Sequence, residues 1–403
     1  MIPFEDALKQ IMDTVPTVRH ERVALLSALG RVLTEDVVAR RAHPPWDNTA
    51  VDGYAVRSVD TAGASPENPV TLNVIETIPA GAMPERTVGA GEASRIMTGA
   101  PMPDGADSVV MVEDTRGTPT SDSVGILRPT EATENIRPMG EDVRPGDVVV
   151  KAGSALSPAD IGMLASVGRS QLTVTRRPTV GILSTGDEIA DLDEPLTDNK
   201  ILNVNSYALA AQVEEAGAVP VILGIAKDDR DTIKAAISEG LQTDVLLISG
   251  GVSMGDFDYV KEILDELGGG LDFWKVRIKP ARPLAFGMIG GTPAFGLPGN
   301  PVSSMVSFEL FVRPYLKTAM GHPVPHRPVV SARLTETVRK RAGRRFFLRA
   351  VVTPDGDGYS CRTTGSQGSG ILTSMVLANG LIDLPESLEG PVETGTRVTV
   401  HMF

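Results

Sequence analysis

Between about residues 178 and 322 the apolar positions fall into short unbroken runs separated by amphipathic stretches. PTVGILST (178–185), VPVILGIA (219–226) and DVLLISGG (244–251) read as strands, because their apolar residues run on rather than alternate. VNSYALAAQVEEAG (204–217), RDTIKAAISEGL (230–241) and DYVKEILDELG (258–268) read as helices; in the last, Val260, Ile263, Leu264 and Leu267 follow the i, i+3, i+4, i+7 spacing of a buried face. Continuous apolar strands alternating with helices predict a parallel, doubly wound sheet covered on both faces. Ligands of such sheets bind beyond the carboxyl ends of the strands. That singles out four loops: STGDE, IAKDD, SGGVSMGDFD and LPGNP.

The pattern changes on either side. From about 326 to 403, VVSARLTETV, RFFLRAVV, GYSCRTT, GLIDLP and TRVTVHMF alternate like strands of a small β-barrel. From about 46 to 140, short runs such as VTLNVIE and SVVMVED are punctuated by Gly and Pro, which predicts β structure with turns. Residues 1–45 look helical. LSPADIGMLASVG (156–168) opens like a helix, with Ser157 as N-cap and Pro158 at the first helical position.

Composition narrows the function. Of 403 residues, 41% are hydrophobic and 22% charged, ordinary values for a globular chain of about two to four domains. The formal net charge of −13 disfavours nucleic acid and anionic membranes as partners. The single cysteine, Cys361, makes no internal disulfide and suits a reducing cytoplasm. The N-terminus lacks the basic start and apolar block of a signal peptide, and no run approaches the ~18 apolar residues of a membrane span.

The chemistry-bearing residues cluster in the loops. In SGGVSMGDFD, the glycines permit close backbone approach to a ligand and helix-start N–H groups favour an anion; a tight turn capped by Asp256 or Asp258 is the alternative. In LPGNPVSS, Asn300 and Pro301 suit the cap and first turn of a helix, which is enough to explain them, while the exposed N–H groups suit a phosphate. Asp187 and Glu188 of STGDE, with Asp228 and Asp229 of the next loop, are either Mg²⁺ ligands or solvated charges. Lys275, Lys279 and Arg282 in the proline-braced KVRIKPARP would attract an oxyanion. DNTAVDGYA (47–55) and GEDVRPGD (140–147) look like polar turns, and RKRAGRR (339–345) like a solvated basic loop. The five histidines form no recognisable triad or metal motif. Covalent hydrolysis is therefore disfavoured and oxyanion or phosphate handling favoured.

PPWDNTAVDGYAVR, RIMTGAPMPDGADSVVMVE, GEDVRPGD, GILSTGDE, SGGVSMGDFDYVKEIL, KPARPLAFG and GLPGNPVSS occur in the order found in MoeA proteins and the gephyrin E domain, and the chain resembles that family from about residue 20 to its end. The resemblance implies a multidomain α/β homodimer. Its parts would be a discontinuous helical linker domain (1–45 and 141–177), an inserted β-rich domain (46–140), an α/β molybdopterin-binding domain (178–325) and a C-terminal β-barrel (326–403). It implies a cytoplasmic molybdopterin molybdenumtransferase that takes adenylated molybdopterin and molybdate with Mg²⁺ and releases molybdenum cofactor and AMP. Molybdopterin adenylyltransferase and molybdoenzyme assembly proteins would be its partners.

Carried over motif by motif, Asp52, Thr98, Glu141, Asp142, Glu188, Asp228 and Asp258 match the family's active-site residues, some acting across the dimer. Asp187, Glu188, Asp228 and Asp258 match its metal carboxylates. Ser249, Gly250, Gly251, Ser253, Pro298, Gly299, Asn300 and Pro301 match its phosphate and pterin contacts. Lys279, Arg282, Arg349 and Ser369 match molybdate contacts, and Lys275 joins them on its charge in the same segment. KPARP departs from the family's KPGKP, with Ala281 for Gly and Arg282 for Lys; Trp46, Thr49 and Val51 are milder departures. A gephyrin-like scaffold and a tungstate-preferring relative remain as alternatives.

Overall fold

The computed structural model describes residues 1–118, 121–250, 257–356 and 358–403, with the backbone alone at 257–261, 271 and 274. Its central domain is a sheet in the order Val219–Ala226, Thr179–Thr185, Val245–Ser249, Thr292–Leu297, Ala285–Ile289, Gly269–Trp274. Val180, Ile182 and Leu247 share one face with Leu209, Val213, Val302 and Val306. Leu183, Leu246 and Ile248 share the other with Ile233, Ile237, Ile263 and Leu264. The period of two along each strand thus feeds two cores at once, which is why the runs carry almost no polar residues.

A wholly parallel sheet is the expectation from these runs, and the structure differs at one edge. Val219–Ala226, Thr179–Thr185, Val245–Ser249 and Thr292–Leu297 pair in parallel, but Ala285–Ile289 pairs antiparallel with both Thr292–Leu297 and Gly269–Trp274 and so runs against the rest. The reason is a two-residue turn, Gly290–Gly291, with φ of 55° and 90°. Positive φ at both positions is what a tight hairpin demands.

The N-terminal region also departs from expectation. Only Phe4–Asp13 is an α-helix in residues 1–45, and its buried Phe4, Ala7 and Ile11 belong to the central core. His20–Ala24 is a strand paired with Gln171–Thr175, and Val37–Val38 pairs with Val148–Val150. These strands and the helix Pro158–Ser166 form a small domain with its own core of Leu33, Val37, Leu164 and Val174. That helix has the anticipated start: Ser157 and Asp160 make a capping box and Pro158 occupies the first turn.

Gly53–Val56, Val70–Ile78, Glu92–Ile96, Ser108–Met111, Thr115–Arg116 and Ser123–Ile126 form the sheet of the β-rich domain. At the C-terminus, Val329–Leu334, Arg345–Asp355, Gly358–Thr363, Gly380–Leu384 and Arg397–Met402 close into a five-strand barrel through the pairing of Arg345–Asp355 with Gly380–Leu384. The N-terminal helix is pinned against the barrel by Arg345, whose guanidinium lies over Phe4 and Phe347 and contacts Glu5. No helix among the described residues is long and apolar enough to cross a membrane.

Candidate active site at the carboxyl edge of the central sheet

A cavity of about 930 Å³ opens beyond the carboxyl ends of the parallel strands. Thr185, Ser249 and Gly250 enter it from two strand ends, and Pro298, Gly299, Asn300 and Pro301 from the loop after a third. Lys275 and Arg282 bring positive charge from the connection between Gly269–Trp274 and Ala285–Ile289, and Glu188 brings a carboxylate. Nine residues singled out from sequence therefore converge on one cavity: Glu188, Ser249, Gly250, Lys275, Arg282, Pro298, Gly299, Asn300 and Pro301.

The backbone explains the glycines. Gly250 has φ of 92°, and a Cβ there would lie 2.5 Å from the Thr185 carbonyl oxygen. A Cβ on Gly299 would lie 3.7 Å from Gly250 Cα, so the two loops nearly touch. A side chain at Gly250 would collide with the Thr185 backbone, so glycine is what lets these two strand ends approach so closely.

Three residues the sequence reading passed over organise this edge. Asn203 caps the helix Val204–Ala216, accepting from Ser206 N at 3.2 Å, and its oxygen also takes the Ser184 hydroxyl at 3.0 Å. Asn205 donates its amide to Ser249 Oγ and to Gly299 O, each at 2.8 Å. Its Oδ1 and the Thr185 hydroxyl are buried without a protein partner. Both residues line the cavity, and buried polar atoms left unpaired in a ligand cavity are groups a ligand can satisfy. The helix-capping asparagine in LNVNS is a local signal; the bridging role of Asn205 depends on two distant loops. Ile189, Ile201, Leu202 and Pro283 give the cavity an apolar wall.

Asn300 stands at the N-cap position of Pro301–Ser307, with Pro301 in the first turn, yet its side chain makes no capping hydrogen bond. Capping is therefore not what its side chain does; it lines the cavity. Ala281 is buried with φ of 70°, a left-handed backbone that favours the glycine of the KPGKP pattern it departs from.

Other predicted residues lie elsewhere. Asp187 and Asp228 are exposed at neighbouring strand ends, each carboxylate accepting the other's backbone N–H, at 3.2 and 3.3 Å. Asp229, by contrast, caps the helix Arg230–Gly240 through Thr232 N. Lys279 is exposed with its ammonium 5.1 Å from the Phe346 ring centroid. Arg349 is buried in the barrel, donating to Ser374 Oγ and Gly368 O at 3.0 Å each. The next residue, Ser369, accepts from Val302 N at 3.3 Å. Arg349 thus braces a loop that touches the helix at the cavity edge.

Asp52 and Thr98 pair in the β-rich domain. Thr98 N and Oγ1 both donate to Asp52 Oδ1 at 2.7 Å, and these bonds, backbone first, hold the exposed carboxyl below its usual range. Glu141 and Asp142 are exposed on the turn beside His43, with Asp142 N donating to His43 O at 3.1 Å. None of these four lines the cavity. Gly251 and Ser253 lie outside the described residues, as does the side chain of Asp258.

A multidomain chain whose α/β unit offers cations, glycine loops and unpaired polar atoms in one cleft is built to hold an anionic, partly apolar ligand. Comparison narrows this class. Residues 2–168 match the MoeA N-terminal region (domains I and II), 181–318 a probable molybdopterin binding domain, and 331–403 the MoeA C-terminal region (domain IV). The chain is 43% identical to molybdopterin molybdenumtransferase 2 of Mycobacterium tuberculosis, covering 99% of each. It is 37% identical to molybdopterin molybdenumtransferase of Bacillus subtilis, covering 100% of this chain and 94% of that one. The crystal structure of the molybdopterin biosynthesis MoeA protein of Pyrococcus horikoshii OT3 superposes with a TM-score of 0.81 at 33% identity, covering 100% of both chains. The chain belongs to the MoeA family, and its role is that of a transferase in molybdenum cofactor biosynthesis.

Proposed function

We propose that the chain transfers molybdenum from molybdate to the dithiolene of adenylated molybdopterin, giving molybdenum cofactor and AMP, as a Mg²⁺-dependent homodimer. The observation that carries this reading is the convergence of Lys275, Arg282, Glu188 and the Gly250–Gly299 approach on one cavity. Two dithiolene sulfurs replace two molybdate oxygens. One displaced oxygen leaves as water with the two thiol protons, and the other ends on phosphorus as the phosphoanhydride opens to AMP and the pterin's own phosphate. Lys275 and Arg282 offset the charge of the oxyanion, with the Arg fork able to engage two oxygens at once. Thr185, Asn205 and Ser249 orient the pterin and its phosphate through hydrogen bonds, and the apolar wall of Ile201 and Leu202 excludes water.

Mg²⁺ takes one or two protein carboxylates and completes its shell with water and phosphate oxygens. The exposed, hard-oxygen set Asp187, Glu188 and Asp228 has that chemistry, and Asp258, in the first turn of the helix Phe257–Glu266, is the further carboxylate we assign to it. Among the described residues no group of three His, Cys, Asp or Glu converges to hold a metal, so substrate oxygens would complete the site. When bound, the ion supplies charge neutralisation at the phosphates. Molybdopterin adenylyltransferase would supply the substrate and molybdoenzyme assembly proteins would receive the product, in the cytoplasm.

The test is AMP release from adenylated molybdopterin with Mg²⁺, with and without molybdate, and with tungstate in a parallel arm. Molybdate-dependent release that Glu188→Gln and Asp258→Ala abolish supports the reading. Tight substrate binding without release would move the chain to a scaffold role.

A further inference from the structure

A second cavity, of about 270 Å³, lies where the small N-terminal domain meets the central domain. Arg31, Arg177, Lys317 and His322 all line it. Glu215 is the one carboxylate among its described lining residues, and it is committed to Arg327 through contacts of 2.9 and 3.0 Å. None of the residues given to the transfer reaction borders this space.

Part of this positive charge has an internal explanation. Arg177 donates to Gly217 O at 2.6 Å and Ala218 O at 3.3 Å, at the carboxyl end of the helix Val204–Ala216. Arg31 reaches Glu21 at 2.5 Å and the Thr175 carbonyl, but its Nε–H is buried without a partner. Lys317 has no such explanation. Its ammonium faces the His322 imidazole, Nζ to Nε2 3.5 Å, and among the described residues no carboxylate stands at ion-pair distance. A half-buried ammonium with no counter-ion is costly. Burial, then the charges of Arg313 and Arg327, push Lys317 down despite the opposing pull of Glu215. Burial, then Lys317 and Arg313, hold His322 down to about 4.

We propose that this junction binds a small tetrahedral oxyanion of the phosphate, sulfate or molybdate class, held by Lys317 with Arg31 and Arg177. The anion supplies the counter-charge that Lys317 lacks, and the guanidinium groups offer donors suited to oxyanion geometry. The cavity holds such an ion with its waters, whereas an adenylated pterin needs a space like the 930 Å³ of the main site. Because the donors come from two domains, occupancy ties the small domain to the central one and stabilises the pair by mass action.

The experiment uses the full chain carrying Lys275→Met and Arg282→Met, so that the main cavity does not contribute. Inorganic phosphate and molybdate are titrated separately by calorimetry. Saturable binding is expected in this background, weakened about tenfold or more by adding Lys317→Met, the loss expected for one charged hydrogen bond. Binding of both anions marks a general oxyanion site; binding of one alone identifies its source. Absence of saturable binding for either, or equal binding after Lys317→Met, overturns the proposal. In the unsubstituted chain, the His322 ring-proton NMR signal gives a reading that needs no variant: saturating phosphate raises its titration midpoint if the anion sits beside it, and an unmoved midpoint overturns the proposal.

Discussion

The side-chain amide of Asn205 bridges Ser249 Oγ and Gly299 O, at 2.8 Å each, so one residue at a helix start clasps two loops of the cavity. Asn205→Ala removes both bonds and leaves the Ser249 and Gly299 loops free to separate. Each bond contributes about 1 kcal/mol, so substrate affinity should fall roughly five- to thirtyfold while the fold persists. Equilibrium binding of molybdopterin, with circular dichroism as the control, measures this. Unchanged affinity would remove Asn205 from the site.

Arg282 and Lys279 come from one proline-braced segment but occupy different settings. Arg282 lines the cavity, while the Lys279 ammonium sits over Phe346. Arg282→Ala should weaken molybdate binding about tenfold or more, and added salt should weaken the parent's binding further. Lys279→Ala should leave molybdate binding nearly unchanged and cost about 0.5–1 kcal/mol of stability through the lost cation–π contact. Calorimetric titration and urea unfolding separate the two effects. Equal losses of molybdate binding in both variants would place Lys279 at the oxyanion after all.

The buried strands Thr179–Thr185 and Val245–Ser249 were legible because each carries apolar residues on both faces, a pattern with few other meanings. Of the barrel strands, Val329–Leu334 and Arg397–Met402 alternate, whereas Arg345–Asp355 and Gly380–Leu384 are buried over five residues in a row. The hairpin Ala285–Leu297 was not legible, because its direction is set by the Gly290–Gly291 turn rather than by its apolar run. His20–Ala24 escaped notice because its partner Gln171–Thr175 lies far along the chain and its burial is slight. The glycines, cations and carboxylates of the cavity announced themselves by residue type. Asn205 and Thr185 did not, since polar residues become ligand groups only when folding buries them without partners.

Asp383 is buried in the barrel beneath Arg345, which donates to both carboxylate oxygens at 2.7 and 2.6 Å, and His401 lies 3.2 Å away. Burial opposes its charge, but Arg345 and His401 more than offset this and hold its pKa below the ordinary value. A carboxyl depressed in the folded state contributes stability above its unfolded pKa of about 3.9, and that contribution disappears as pH falls through the folded value. Asp383→Asn should therefore destabilise the chain by about 3 kcal/mol at neutral pH, with the difference from the parent shrinking below about pH 4. Urea unfolding across pH measures it. A difference that stays constant into acid would show that the carboxylate's charge is not the source.

The Asp52–Thr98 pair lies outside the cavity of its own chain's central domain, which fits a site completed by the β-rich domain of a second copy. If so, Asp52→Ala and Arg282→Ala disable different halves of one composite site. Mixing the two inactive variants at equal amounts, with exchange of subunits, gives heterodimers in which one of the two sites has both halves intact. Activity should recover to roughly a quarter of the parent's, the statistical share of intact sites in a twofold dimer. Molybdate-dependent AMP release before and after mixing reads this directly, with sedimentation confirming the dimer. A mixture that stays inactive although heterodimers form would mean that Asp52 serves its own chain or none.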